Sequence, residues 1–239
     1  MAWFATDNAE SYSNGNAINT LNGGTDWSGA WSKAGAGGTA DIINTPTLQG
    51  SLCFRLVGGN SGEPEALRSF TCVTSGSASF IVRSNTALLD SVIFGFEEST
   101  TRKATYWMDG GNNLVGFGHH VLYNGASTDL GAYSADTNYT IIMDFDCSTD
   151  QFRISVNGGS TFSSWANFES TATSITRIRY RLSRTQTAVN TSWYFDDIKP
   201  YSAVVGPVNM KTRNGLASAS VKTIDGLAIA SVKTVNGLT

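Results

Sequence analysis

Charge is scarce in this chain. Of its 239 residues, Asp, Glu, Lys and Arg make up 15%, where globular proteins hold about 25%. The surface must therefore rely on Ser, Thr, Asn and Gly. The net charge of −3 gives no electrostatic basis for binding nucleic acid or an anionic membrane. Cysteine is rare too. Cys53, Cys72 and Cys147 are odd in number and widely spaced, which excludes a disulfide framework or a zinc pattern and reads as small buried hydrophobes. The two histidines are adjacent, His119-His120. On a strand they would diverge, so neither a metal pair nor a catalytic triad follows from them. No apolar run is long enough to span a membrane, and Met1 to Asp7 lacks the basic and apolar regions of a signal peptide. The expectation is synthesis in a cytoplasm, without membrane insertion.

Helical periodicity is also missing over any ten residues. Two-residue alternation takes its place, and side chains two apart on a strand share a face. Leu52, Phe54 and Leu56 alternate with Cys53 and Arg55; Phe70 and Cys72, Phe80 and Val82, and Val92, Phe94 and Phe96 behave similarly. Thr105 to Met108, Asn113 to Phe117 and Val121 to Tyr123 are further strand candidates. Tyr139, Ile141, Met143 and Phe145 alternate cleanly, as do Phe152, Ile154 and Val156. Ile178, Tyr180 and Leu182 alternate with Arg177, Arg179 and Arg181, giving one buried face and one basic face paired with acids of a neighbouring strand. The last strand is Ser192 to Pro200, with Trp193 and Phe195 on one face and Tyr194 on the other. Residues 1–50 are rich in Gly, Asn and Ser, and Trp27 and Trp31 among them are expected to cap one end of the core, the alternative being exposed sugar platforms. Strands of this length separated by turn dipeptides predict an all-β sandwich of two antiparallel sheets over residues 1–203.

Two segments carry a resemblance. Asp7-Asn8-Ala9-Glu10-Ser11-Tyr12-Ser13-Asn14-Gly15, followed by Trp27-Ser28-Gly29-Ala30-Trp31, and the closing Trp193 to Lys199 together resemble the concanavalin A-like (laminin G-like) jelly-roll family of lectin, glucanase and phage virion domains. The resemblance implies a jelly roll whose first and last strands are neighbours, so that Glu10 and Asp197 approach. It also implies a structural Ca²⁺ held by these acids and nearby carbonyls, because Ca²⁺ takes six to eight oxygens. The alternative is that the acids cap turns or pair with Lys199 or an arginine. Laminarinase-type members carry Glu-x-Asp-x-x-Glu on one strand. The glutamates here, Glu10, Glu63, Glu65, Glu97, Glu98 and Glu169, lack that spacing. Glu97 and Glu98 would point to opposite faces, and Asp144 and Asp146 share a face without a third partner. The chain is therefore expected not to be an enzyme, the alternative being a polysaccharide-degrading hydrolase of the same fold. A glycan-binding role remains, since sugars need aromatic platforms beside polar groups. If their strands line the concave sheet, Trp107, Asn112, His119 and Tyr123 are the expected carbohydrate-binding residues; otherwise the aromatics belong to the core.

After Pro200 the composition changes, and an 11-residue unit occurs three times. Lys211, Gly215 and Leu216 recur as Lys222, Gly226 and Leu227, then as Lys233, Gly237 and Leu238. Each unit centres on Asn-Gly or Asp-Gly flanked by β-branched residues, which favours strand-turn-strand. Three such units hold few apolar groups and need a partner surface. Residues 204–239 are accordingly expected to be a short β-repeat extension that anchors or oligomerises the chain, the alternative being a flexible tail. The pattern resembles C-terminal tails of phage structural proteins. That resemblance implies other virion proteins or copies of the chain as partners, and a place on the outside of a phage particle.

Overall fold

A computed structural model describes residues 5–58, 63–87, 91–111, 114–183 and 191–202, together with 223–224 and 227–228. The chain divides into two compact units, Met1–Ala203 and Val204–Thr239. Every regular element among the described residues is a strand.

The first unit is a sandwich of two antiparallel sheets, seven strands in each. Sheet one runs in the order β1 (Ser32–Ala34), β4 (Glu65–Val73), β13 (Ile175–Ser183), β6 (Ser91–Glu98), β7 (Thr101–Asp109), β8 (His119–Tyr123) and β9 (Ser127–Ala132). Sheet two runs β12 (Ala166–Asn167), β11 (Gln151–Ser155), β10 (Tyr139–Asp146), β5 (Ser75–Ser84), β14 (Ser192–Ser202), β3 (Cys53–Val57) and β2 (Thr39–Ile43). Sequence neighbours are often not sheet neighbours: β14 lies between β5 and β3, and β13 between β4 and β6. This is the jelly-roll sandwich the alternation and the resemblance predict.

Alternation fills the core. Phe54, Phe80, Phe94, Phe96, Tyr106, Tyr180 and Phe195 are buried between the sheets. Tyr180 of sheet one stacks on Phe195 of sheet two, with ring centroids 4.0 Å apart and planes 10° apart. Phe195 in turn stacks on Phe54 at 5.2 Å.

One core position on β4 carries a charge. Arg68 alternates with Ala66 and Phe70 and is 1% exposed. Its Nη1 is ion-paired with Asp7, which is equally buried. Asp7 Oδ2 also accepts from Tyr12 Oη at 2.7 Å and Trp31 Nε1 at 2.9 Å, and Oδ1 accepts from Ala9 N at 3.2 Å. Arg68 donates from Nε to Gly29 O at 2.9 Å and from Nη2 to Gly23 O at 2.8 Å, and its guanidinium lies 4.5 Å from the centre of the Trp27 ring. Asp7 exchanges backbone bonds with Ile198 of β14, at 2.9 and 2.8 Å. One buried pair thus ties the irregular N-terminal segment to both sheets. Trp31 is buried and Trp27 packs against it at 5.9 Å, as expected of residues capping the core.

Several local expectations are corrected. The expected strand Asn113 to Phe117 is not formed over its described part: residues 114–118 form bends and turns, with Phe117 exposed. Cys72 is exposed, whereas Cys53 and Cys147 are buried as expected. Pro200 does not end the last strand, which continues to Ser202. It is tolerated because the β14–β5 register shifts on either side of Lys199, and proline enters sheets where the ladder is interrupted. Strands β1, β2 and β9 lie in glycine-rich or polar stretches whose alternation is too short to read.

In the second unit β15 (Thr223–Ile224) pairs antiparallel with β16 (Leu227–Ala228), Thr223 opposite Ala228 and Ile224 opposite Leu227. The two residues between them are Asp225-Gly226, a sequence suited to a tight hairpin turn. Of the expected anchoring positions, Leu227 falls in this pair; Lys211, Gly215, Leu216, Lys222, Gly226, Lys233, Gly237 and Leu238 lie outside the described residues.

Removing one partner of a buried ion pair leaves an uncompensated charge, at a cost of about 3–5 kcal/mol. Arg68→Met should lower the free energy of unfolding by that order in guanidinium titration. The double variant Asp7→Asn/Arg68→Met should recover part of the loss. A single variant within about 1 kcal/mol of wild type would show that the pair is not what holds the segment.

Candidate functional site

The outward face of sheet one is a grid fixed by strand register. One row crosses the sheet as Arg181, Ile93, Trp107 and Val121; the next as Arg179, Gly95, Thr105 and Tyr123. On each strand the alternate residues, such as Tyr180, Phe94, Tyr106 and Leu122, face the core. Trp107 and Tyr123 are therefore diagonal neighbours on the solvent side, close enough for aromatic rings to meet. Their centroids are 5.7 Å apart and their planes tilted by 53°. Both are half-buried. The Arg102 guanidinium lies 5.5 Å from the centre of the Tyr123 ring, within cation–π range. The Trp107 Nε1 has no hydrogen-bond partner among the described residues.

Of the four expected carbohydrate-binding residues, the structure brings Trp107 and Tyr123 together. His119 follows on the same face of β8, where its Nδ1 lies 2.9 Å from Asp129 Oδ1. Asn112 lies outside the described residues. His120 turns to the core, as the divergence of adjacent side chains requires. Its Nδ1 is 2.6 Å from Tyr106 Oη, and burial pulls its pKa down to about 4. At the seam between the sheets a cavity of about 370 Å³ is lined by His120, Leu130, Tyr139, Thr140 and Val156 among others.

Beside the aromatic pair lies an ionic ladder. Glu97 is fully buried on the outward face and accepts from Arg177 Nε at 2.6 Å, with Arg179 Nε 2.9 Å from its other oxygen. Glu65 lies 3.7 Å from Arg179 Nε and 3.5 Å from Arg181 Nε, and Arg181 also pairs with Glu63. The basic face of β13 is thus paired with acids of β4 and β6. Burial raises the Glu97 pKa against the opposing pull of Arg177 and Arg179. Other acids are similarly engaged: Glu169 with Arg102 at 2.8 Å, Glu98 with Lys103 at 3.2 Å and Asp144 with Arg153 at 2.7 Å. A glycosidase needs one carboxyl free to donate a proton and another free to attack or activate water; the acids of this ladder are each held by a cation.

Glu10 and Asp197 do come near the same end of the molecule, but each has its own partner. Glu10 accepts from Ser51 N at 2.8 Å, Leu52 N at 2.9 Å and Ser51 Oγ at 2.6 Å. Gly50 adopts φ of 71°, a left-handed conformation that strains other residues, and a Cβ there would stand 2.4 Å from Glu10 Oε1, so glycine suits the close approach of the loop to the carboxylate. Asp197 pairs with Lys199 Nζ at 2.6 Å. N–H, O–H and ammonium donors occupy the oxygens that a Ca²⁺ shell would use, and no cluster of three or more His, Cys, Asp or Glu side chains among the described residues is arranged for a metal. The donor set does not fit Ca²⁺; the acids cap a turn and pair with Lys199, the alternative left open by the sequence.

Sequence reasoning missed Arg68, Gly95, Glu169 and Asp196. Asp196 is fully buried on the side of β14 opposite Phe195. It accepts from Gln49 N at 3.0 Å and Asp197 N at 2.7 Å. Burial, with Asp197 and Glu10 adding repulsion against these hydrogen bonds, pushes it up to about 7. The Asp-Asp doublet was the available signal, but only packing shows which of the two is enclosed.

Neither a family model nor a curated protein matches the sequence. Solved structures do match in fold. A chain named sialidase superposes with a TM-score of 0.58 at 11% identity over 71% of this chain, which spans 16% of that chain's length. A β-glucanase of Bacillus licheniformis gives 0.49 at 12% identity, covering 78% of this chain and 97% of that one. The catalytic domain of a family 131 glycoside hydrolase from Coprinopsis cinerea gives 0.47 at 14%, covering 70% and 81%. At these identities the likeness is one of fold, a concanavalin A-like jelly-roll sandwich.

The two shifted groups act in opposite directions on stability. Asp196 keeps its proton in the folded state up to about pH 7 but loses it near 3.9 when unfolded, so its contribution falls as pH rises from about 4 to 7. His120 stays neutral when folded down to about 4 but protonates near 6.5 when unfolded, so its contribution falls as pH drops from about 6.5 to 4. Between these limits the two largely cancel. Asp196→Asn should give a melting temperature that rises with pH across this window, and His120→Asn one that falls. Profiles parallel to wild type would contradict both assignments.

Proposed function

We propose that the sandwich binds glycans and does not hydrolyse them, and that it is displayed on a phage particle to which residues 204–239 attach it. The observation that carries the binding reading is the Trp107–Tyr123 pair: two half-buried rings on the solvent side of a sheet, 5.7 Å apart, with charged side chains around them. Apolar sugar faces stack on such rings while hydroxyls reach the polar rim. The jelly-roll fold supports the same reading. Engagement of Glu97, Glu98, Glu169 and Asp144 by cations supports binding without turnover. The virion reading rests on the three-fold repeat of Lys-Thr-x-Asn/Asp-Gly-Leu type, whose units are too poor in apolar groups to stand without a partner, whether another virion protein or a second copy. His119 serves on the rim of the site, and Asn112 follows the strand that carries Trp107.

On a glycan array, Trp107→Ala and Tyr123→Ala should each weaken binding at least about tenfold, ~1.4 kcal/mol, with unchanged melting temperature. Binding unaffected by both would place the ligand elsewhere. A reducing-sugar assay over a polysaccharide panel should give no turnover; steady release of sugar would restore the hydrolase reading. Deletion of residues 204–239 should leave the melting transition of the sandwich intact while abolishing incorporation into particles. Normal assembly of the truncated protein would remove the anchoring role.

A further inference from the structure

We infer that the outward face of sheet one selects saccharides that carry a carboxylate, and that Arg179 is the residue that reads it. The inference rests on the glycan-binding reading above and adds the substrate class. Arg179 lies in the same cross-strand row as Gly95, Thr105 and Tyr123. Three strand intervals of 4.7–4.9 Å put it about 14 Å from Tyr123 along the row, the reach of a short oligosaccharide. The position between them on β6 is glycine. The Arg102 stem lies over it, since a Cβ at Gly95 would meet Arg102 Cγ at ordinary contact distance, 3.7 Å, so a ligand reaching from the rings to Arg179 crosses that side chain.

The guanidinium of Arg179 is held by one edge. Its Nε lies 2.9 Å from Glu97 Oε1 and 3.7 Å from Glu65 Oε2. Its two terminal nitrogens donate no hydrogen bond among the described residues, and a quarter of the side chain, 25%, is exposed. Arg177 differs, spending both Nε and Nη2 on Glu97, and Arg181 spends Nη2 on Glu63. Arg179 is therefore the member of the ladder whose fork remains open, and a guanidinium fork matches a carboxylate in plane and spacing. The acids close by do not cancel this. Glu97 is neutralised by Arg177 as well as by Arg179, and Glu169, which accepts from Thr105 Oγ1 at 2.8 Å, is paired with Arg102. Acids and bases on the face are balanced, so selectivity comes from a directed bidentate contact rather than a positive field. Lysine, a point charge without the fork, cannot replace it.

The test uses the full chain in affinity electrophoresis with four probes: polygalacturonate, alginate, fully methyl-esterified polygalacturonate and a neutral β-glucan. Wild type should bind at least one of the two polyuronates, and bind polygalacturonate or alginate at least tenfold more tightly than the ester and the β-glucan. Arg179→Lys should lose most of that preference while keeping the residual binding to neutral probes and the wild-type melting temperature. Trp107→Ala should weaken acidic and neutral probes alike. Equal binding of polyuronates and ester by wild type, a measurement that needs no variant, overturns the inference while leaving the glycan-binding reading in place. So does retention of the preference by Arg179→Lys. Binding to no probe, and to no member of a wider glycan array, overturns both.

Discussion

A buried ion pair fixes the path of the chain that closes one end of the sandwich. Asp7 and Arg68 are enclosed where an apolar pair would pack without desolvating charge, and such pairs are weak sources of net stability. Their value here is in direction. The carboxylate collects Tyr12, Trp31 and the Ala9 amide, and the guanidinium collects the carbonyls of Gly23 and Gly29 and the face of Trp27. A glycine-rich segment with little regular structure of its own acquires a fixed path in part because these polar groups converge on one buried pair. The same pair joins β4 of sheet one to the backbone bridge between Asp7 and Ile198 on β14 of sheet two, so the end of the core closes.

Sheet one divides its labour between its faces. The inner face is aromatic and continuous with sheet two. The outer face carries charge in excess of what a charge-poor chain would lead one to expect, but carries it in pairs. Glu97 is buried on that face only because Arg177 and Arg179 flank it. The result is a rigid, near-neutral floor of guanidinium and carboxylate groups next to two aromatic rings. A surface of that kind recognises ligands by hydrogen-bond geometry and stacking rather than by long-range attraction, which salt would screen.

Much of the fold was legible because a β-sandwich writes itself as alternation. The strands around Phe80, Phe94, Ile141, Ile154, Tyr180 and Phe195 could be read directly, and so could the outward arginines of β13 and the divergence of His119 from His120. Asn113 to Phe117 could not: its apolar residues mimic a strand, but glycines at 116 and 118 break it into bends. Of the site, Trp107 and Tyr123 were legible as aromatics beside polar turns. Arg68 was not, because an arginine in an alternating strand looks the same whether it faces solvent or core. Nor was the importance of Gly95, which matters only for what stands on either side of it in neighbouring strands.

The order of polar and apolar residues determined, without help, that this chain forms two antiparallel sheets with an aromatic interior, since period-two alternation has one low-energy solution. Which strands became neighbours was decided by tertiary structure alone. Strand pairing brings residues more than eighty positions apart, such as Arg179 and Gly95, to within one hydrogen-bonded interval. No local pattern encodes that distance, and the chemistry of the outward face is built from it.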